Sequence, residues 1–162
     1  YNGLGPKGAA ALAEGLKGNS TLQSLGLGSN YIGDEGASML AAVLKKTKIT
    51  YLDLEGNGLG PEGGAALAKG LKGNTTLQSL DLGGNYIGDE GASMLAAVLK
   101  KTKITYLDLS GNNIGDEGAS MLAAILKETQ IKQLNLELND LGPEGAAAIA
   151  EGLKGNTTLQ SL

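Results

Sequence analysis

One eight-residue segment returns almost unchanged. Gly33–Leu40 reads G-D-E-G-A-S-M-L, and the same letters stand at 88–95 and again at 115–122. A chain that repeats itself at a fixed period does not build one mixed globular core. Each period is a unit that cannot bury its apolar face alone, so neighbours stack and share a continuous core. The residue types agree with stacking. Aromatics are 3% of the chain, with no Phe or Trp, whereas hydrophobics reach 41%. Aliphatic side chains can fill narrow coils without the large aromatic anchors of a compact domain.

Each unit opens on a leucine-rich line. Leu22–Asn30 is the first full copy, followed by Ile49–Asn57, Leu77–Asn85, Ile104–Asn112 and Ile131–Asn139. All follow L-x-x-L-x-L-x-x-N, with Leu replaced by Ile at some places. A helical half follows, N-x-[LI]-G-x-E-G-A-x-x-L-A-x-x-L-K. Two flavours of it alternate. Type A (4–19, 59–74, 141–156) carries Pro at the helix start. Type B (32–47, 87–102, 114–129) carries Asp there. Their order is A-B-A-B-B-A, and two consecutive units span 55 residues, as from Asn2 to Asn57.

The pattern resembles the leucine-rich repeat, and the long helical half resembles the ribonuclease-inhibitor-like class, which includes the helical repeats of cytosolic immune receptors. That resemblance covers the whole chain. It implies an α/β right-handed solenoid with a parallel sheet on the concave face and helices on the convex face. It also implies a protein-recognition surface and no particular ligand. Residues 1–162 are expected to form a single leucine-rich-repeat domain of about six 27- or 28-residue repeats. Both ends read as incomplete repeats, so head-to-tail homo-association of a repeat scaffold is the alternative expectation.

Local chemistry predicts the parts of a unit. The paired Leu of L-x-L, such as Leu52 and Leu54, should bury behind a short strand. The framework Asn should bond backbone groups that the bend leaves unpaired. Pro6, Pro61 and Pro143 suit a first helical position, where a missing N–H costs nothing. Asp34, Asp89 and Asp116 should serve the positive end of their own helices, and Lys17, Lys45, Lys72, Lys100, Lys127 and Lys154 suit the negative ends. Type B helices place Met39/Val43, Met94/Val98 and Met121/Ile125 where type A helices have Ala and Gly. Large residues are expected to nest against small ones, with wider spacing and tighter curvature at the B-B junction.

Chemical function is narrowed by what is missing. There is no Cys, hence no disulfide or thiolate metal site, and no His to shuttle protons. All 13 basic residues are Lys. No nucleophile–base pair can be assembled, so a catalytic role, a cofactor and a metal are not expected. A net charge of -4 argues against nucleic acid and an anionic membrane as partners. No apolar run has the length of a signal-peptide core or a membrane span, and with no Cys a cytoplasmic setting is the expectation. Gly3–Gly8 and Gly58–Gly63 match G-x-G-x-x-G, but Pro at the helix start removes an amide a phosphate would need. Asn19, Asn74 and Asn156 match glycosylation acceptors and are read as helix-exit caps.

The candidate working surface is the outward side of the strand line. Period-two alternation puts its third, fifth and seventh places there. These columns supply Tyr51, Tyr106 and Gln133, then Asp53, Asp81, Asp108 and Asn135, then Glu55 and Glu137. Removing these five carboxylates from the net charge of -4 leaves +1, so the face carries the whole net charge. The expected ligand is a protein or peptide of basic character.

Overall fold

The computed structural model describes residues 2–162. Among them helices and strands alternate: α1 Gly5–Leu16, β1 Ser24–Gly26, α2 Gly33–Leu44, β2 Tyr51–Asp53, α3 Pro61–Leu71, β3 Ser79–Asp81, α4 Gly88–Leu99, β4 Tyr106–Asp108, α5 Asp116–Ile125, β5 Gln133–Asn135 and α6 Pro143–Leu153. A 3₁₀ turn, Leu126–Glu128, extends α5. Every strand pairs in parallel with its successor, in the order β1-β2-β3-β4-β5. A single bridge from Gln133 to Ser161 continues the ladder. This is the leucine-rich α/β solenoid, with one core running between sheet and helices. Leu52, Leu54, Leu80, Leu82, Leu107 and Leu109 are fully buried in it.

The framework asparagines stitch the coils together. Asn57 is buried; its Nδ2 donates to the carbonyls of Leu54 (2.8 Å), Glu55 (3.1 Å) and, one coil back, Leu27 (2.9 Å). Its Oδ1 accepts from the amides of Asn30 (3.0 Å) and Ile32 (3.3 Å) in the preceding coil. Asn85 repeats all five bonds. At the helix exits Asn74 is likewise buried; its Nδ2 reaches Leu44 O and its Oδ1 caps the amides of Thr76 and Leu77. The acceptor motif there is therefore a structural cap.

The aspartates at the helix starts do more than expected. Asp34, Asp89 and Asp116 stand in the first turns of α2, α4 and α5, where they suit the positive helix end. Each also caps the next coil. Asp34 Oδ1 accepts from Gly60 (2.8 Å) and Gly63 (2.7 Å); Asp89 does the same for Gly115 and Gly118, and Asp116 for Gly142 and Gly145. These are the N-cap and third-residue amides of α3, α5 and α6, which have no intrahelical partner. The preceding coil thus sets how a helix begins. After an Asp coil the N-cap glycine is extended, as at Gly115 with φ -96°. After a Pro coil the same residue is left-handed, as at Gly33 (φ 63°) and Gly88 (φ 65°). α2, α4 and α5 begin from the same sequence, so local propensity cannot explain the difference.

Helix packing adds to the expected nesting. Met39, Met94 and Met121 stand 44–46% exposed on the convex face, and Met94 borders a groove shared with Ala65, Ala66 and Ala68 of α3. The close approach comes from glycine. A Cβ on Gly70 would lie 2.5 Å from Ala41 O, and one on Gly152 2.6 Å from Ala123 O. Both glycines lie on a type A helix that follows a type B helix. At the B-B junction Ile125 fills the Gly70 position, so no glycine stands there to let the backbones meet in that way.

Candidate concave interaction face

Strand register delivers the columns in straight files. Tyr51 lies beside Ser79, Tyr106 and Gln133 in turn, and Asp53 beside Asp81, Asp108 and Asn135. Successive strands are ~4.8 Å apart, so the two tyrosines stand about 10 Å apart. Sheet pairing therefore brings the predicted residues onto one surface. Glu55, Gln133 and Glu137 are exposed, Tyr51 is 40% exposed, and Asp53, Asp81, Tyr106 and Asn135 are half-buried.

Asp108 differs from its neighbours. It is 8% exposed, and both oxygens are occupied. Oδ1 accepts from the Ser110 amide (2.8 Å) and hydroxyl (2.6 Å); Oδ2 accepts from Asn135 Nδ2 (2.8 Å) and the Tyr106 hydroxyl (3.3 Å). A saturated carboxylate offers its charge and holds Tyr106 in place, but has little surface to give a ligand. Asp53 and Asp81 are less covered. Each accepts one backbone amide two residues on, Glu55 N at 2.9 Å and Gly83 N at 3.0 Å, a turn in which the aspartate side chain mimics backbone.

The face is electrostatically crowded. Burial pushes the Asp81 carboxyl above its ordinary value; the Gly83 amide opposes this, and the charges of Asp108, Asp53 and Glu55 add to it. Burial, then the charge of Asp53, raises the Tyr51 phenol. Burial, then the charge of Asp108, raises that of Tyr106. Both phenols stay neutral donors through the physiological range. Asp53, Glu55 and Asp81 bring carboxylate oxygens within 4.8 Å of one another, close enough for one cation to span. Nothing else there marks a metal centre.

Three large side chains escaped the sequence reading. Tyr31, Tyr86 and Leu138 stand in the loops that follow the strands, 77%, 66% and 88% exposed. All three have left-handed backbone, at φ 58°, 59° and 56°. The sequence does carry their signal: other coils place Gly58, Gly84 or Gly111 at the corresponding positions.

Comparison with known proteins agrees with this architecture. The leucine-rich repeat profile matches five times, at residues 18–41, 45–68, 73–96, 100–123 and 129–150. The chain belongs to the leucine-rich repeat family. None of the curated protein sequences matches it. Among solved structures it superposes on actin-binding site 2 of leiomodin-1 with a TM-score of 0.70 at 17% identity, covering 93% of this chain and 88% of that one. The C-terminal domain of Caenorhabditis elegans tropomodulin gives 0.70 at 12% identity, covering 93% and 92%. At such identity the likeness concerns the fold.

Proposed function

We propose that this chain is a non-catalytic protein-recognition module whose concave face holds a basic protein or peptide segment. One observation carries the reading: Asp53, Asp81 and Asp108 form an in-register file beside Tyr51 and Tyr106, and no lysine stands in these columns. Concave faces of solenoids are extended binding surfaces. A single-sign field on such a face speeds encounter with opposite charge and disfavours like charge. Tyr51 and Tyr106 supply flat, rigid contact area with a hydroxyl donor, the usual composition of binding hot spots. Glu55, Gln133 and Glu137 project furthest and make the first contacts; Asn135 and Asp108 set the floor. The leiomodin segment is by its name an actin-binding site, which gives a precedent for a protein ligand on this fold and does not identify this chain's own. Within the family we place the chain in the ribonuclease-inhibitor-like class, on its long helical halves, and read residues 1–162 as one domain.

A labelled nonalysine peptide tests the charge reading by fluorescence anisotropy. D53N/E55Q/D81N should weaken binding at least about tenfold, one decade being the effect of a 1.4 kcal/mol loss. E62Q/E90Q/E117Q removes equal charge from the helix starts and should change it far less. Equal weakening by both sets would remove the concave face from the account.

A further inference from the structure

We propose that copies of this chain associate side by side, the ridge of Tyr31, Tyr86 and Leu138 on one copy against a lysine edge on the next. The two edges of the solenoid carry opposite charge. Loops that enter the strands carry Lys46, Lys48, Lys101 and Lys103, all exposed and none in an ion pair among the described residues. The opposite edge, where strands end and helices begin, is lined by acids such as Glu35, Glu90 and Asp140, with Lys7 as its one lysine among the described residues. The ridge rises from that acidic edge. Its three side chains are among the most exposed apolar groups of the molecule, and they occupy positions that other coils give to glycine.

Spacing selects a second copy as occupant. Tyr31 and Tyr86 are 55 residues apart, two coils, and so are Lys46 and Lys101, and Lys48 and Lys103. Translating one copy along its strand direction lays the arcs edge to edge and keeps the coils in step. Each tyrosine then meets a lysine pair at the same two-coil interval. An ammonium over a tyrosine face and the surrounding carboxylates gives both cation–π and charge attraction. Leu138 extends the ridge two coils past Tyr86, where the same register places Lys154. A contact between two different edges is heterologous and does not close on itself, so it makes ladders of copies. It leaves the concave face free and stands independently of what that face binds.

Multi-angle light scattering over a concentration series tests this on the protein alone. At about 20 mM salt the weight-average mass should climb with concentration, and at about 500 mM it should fall to the monomer value, because surface charges are then screened. Y31G/Y86G/L138G should be monomeric at low salt with an unchanged or higher Tm, since glycine suits those backbone angles. K46E/K48E/K101E/K103E should be monomeric as well. A one-to-one mixture of the two variants should form dimers and stop there, because each retains one good edge. A wild type that stays monomeric at low salt overturns the proposal. So does a ridge variant that associates like wild type, which would move assembly to the solenoid ends.

Discussion

Replacing Asn85 by Leu should be among the most damaging single changes in the chain. Asn85 is fully buried, and its Oδ1 accepts from the amides of Asn57 (2.9 Å) and Leu59 (3.2 Å). Its Nδ2 donates to the carbonyls of Leu54, Leu82 and Gly83. The two sides are not equivalent. Leu54 O keeps a bond from Asn57, Leu82 O one from Asn112, and Gly83 O one from the Gly56 amide. The amides of Asn57 and Leu59 have no such second partner. Each orphaned buried donor costs about 1–3 kcal/mol, so N85L should lose roughly 4 kcal/mol. At about 2–4 °C per kcal/mol for a domain of this size, Tm falls by about 8–16 °C. Asn139 makes the same bonds but is only partly buried, and water can replace part of them, so N139L should lose about 1–2 kcal/mol. Urea unfolding of both variants measures the difference. A loss below about 1 kcal/mol at Asn85, or equal losses at both sites, would refute the ladder as the element that joins the coils.

Other consequences follow from the coil contacts and the concave charges. D89A removes the cap on α5 and should cost about 1 kcal/mol, and E90A, whose side chain caps nothing, close to zero; equal effects would deny the cross-coil cap. G70A places a methyl against Ala41 O and should cost about 1–3 kcal/mol in thermal or urea unfolding, while alanine at Gly15, where a Cβ meets nothing within 4 Å, is tolerated. D81N should stabilise near neutral pH by under about 1 kcal/mol, since the site is half exposed. The sign follows from the raised carboxyl: its stabilising protonated form is fully present below the ordinary value of 3.8 and is lost as pH rises through the folded value. Melting D81N and wild type at pH 3 and pH 7 should show the gain only at pH 7; a gain at both would assign it to packing.

Much of this architecture was legible because it repeats. Leu52, Leu54 and Asn57 each perform one job, and five copies of the pattern remove ambiguity of period and register. The concave columns were legible for the same reason, since alternation along a strand does not depend on partners. What escaped depends on contacts across coils. The Asp34 cap joins residues 26 apart in sequence and appears only once Gly60 is placed beside it. Asp108 looks like Asp53 and Asp81 in sequence, yet Ser110 and Asn135 exist at its site alone and bury it. Met39 and Gly70 had the right sizes for nesting, but the tight contact falls on the Ala41 backbone, away from where side-chain volume pointed.

The concave sheet is the surface proposed to meet this protein's partner. Site-specific photo-crosslinking tests it whatever that partner is. A benzophenone amino acid is placed in turn at Tyr51 and Tyr106 on the sheet, and at Met39 and Met94 on the exposed helical face. Light-dependent adducts of one common partner are expected from positions 51 and 106, suppressed by high salt, and none from 39 or 94. Adducts from 39 or 94 with none from 51 and 106 would contradict it and place the working surface on the helices.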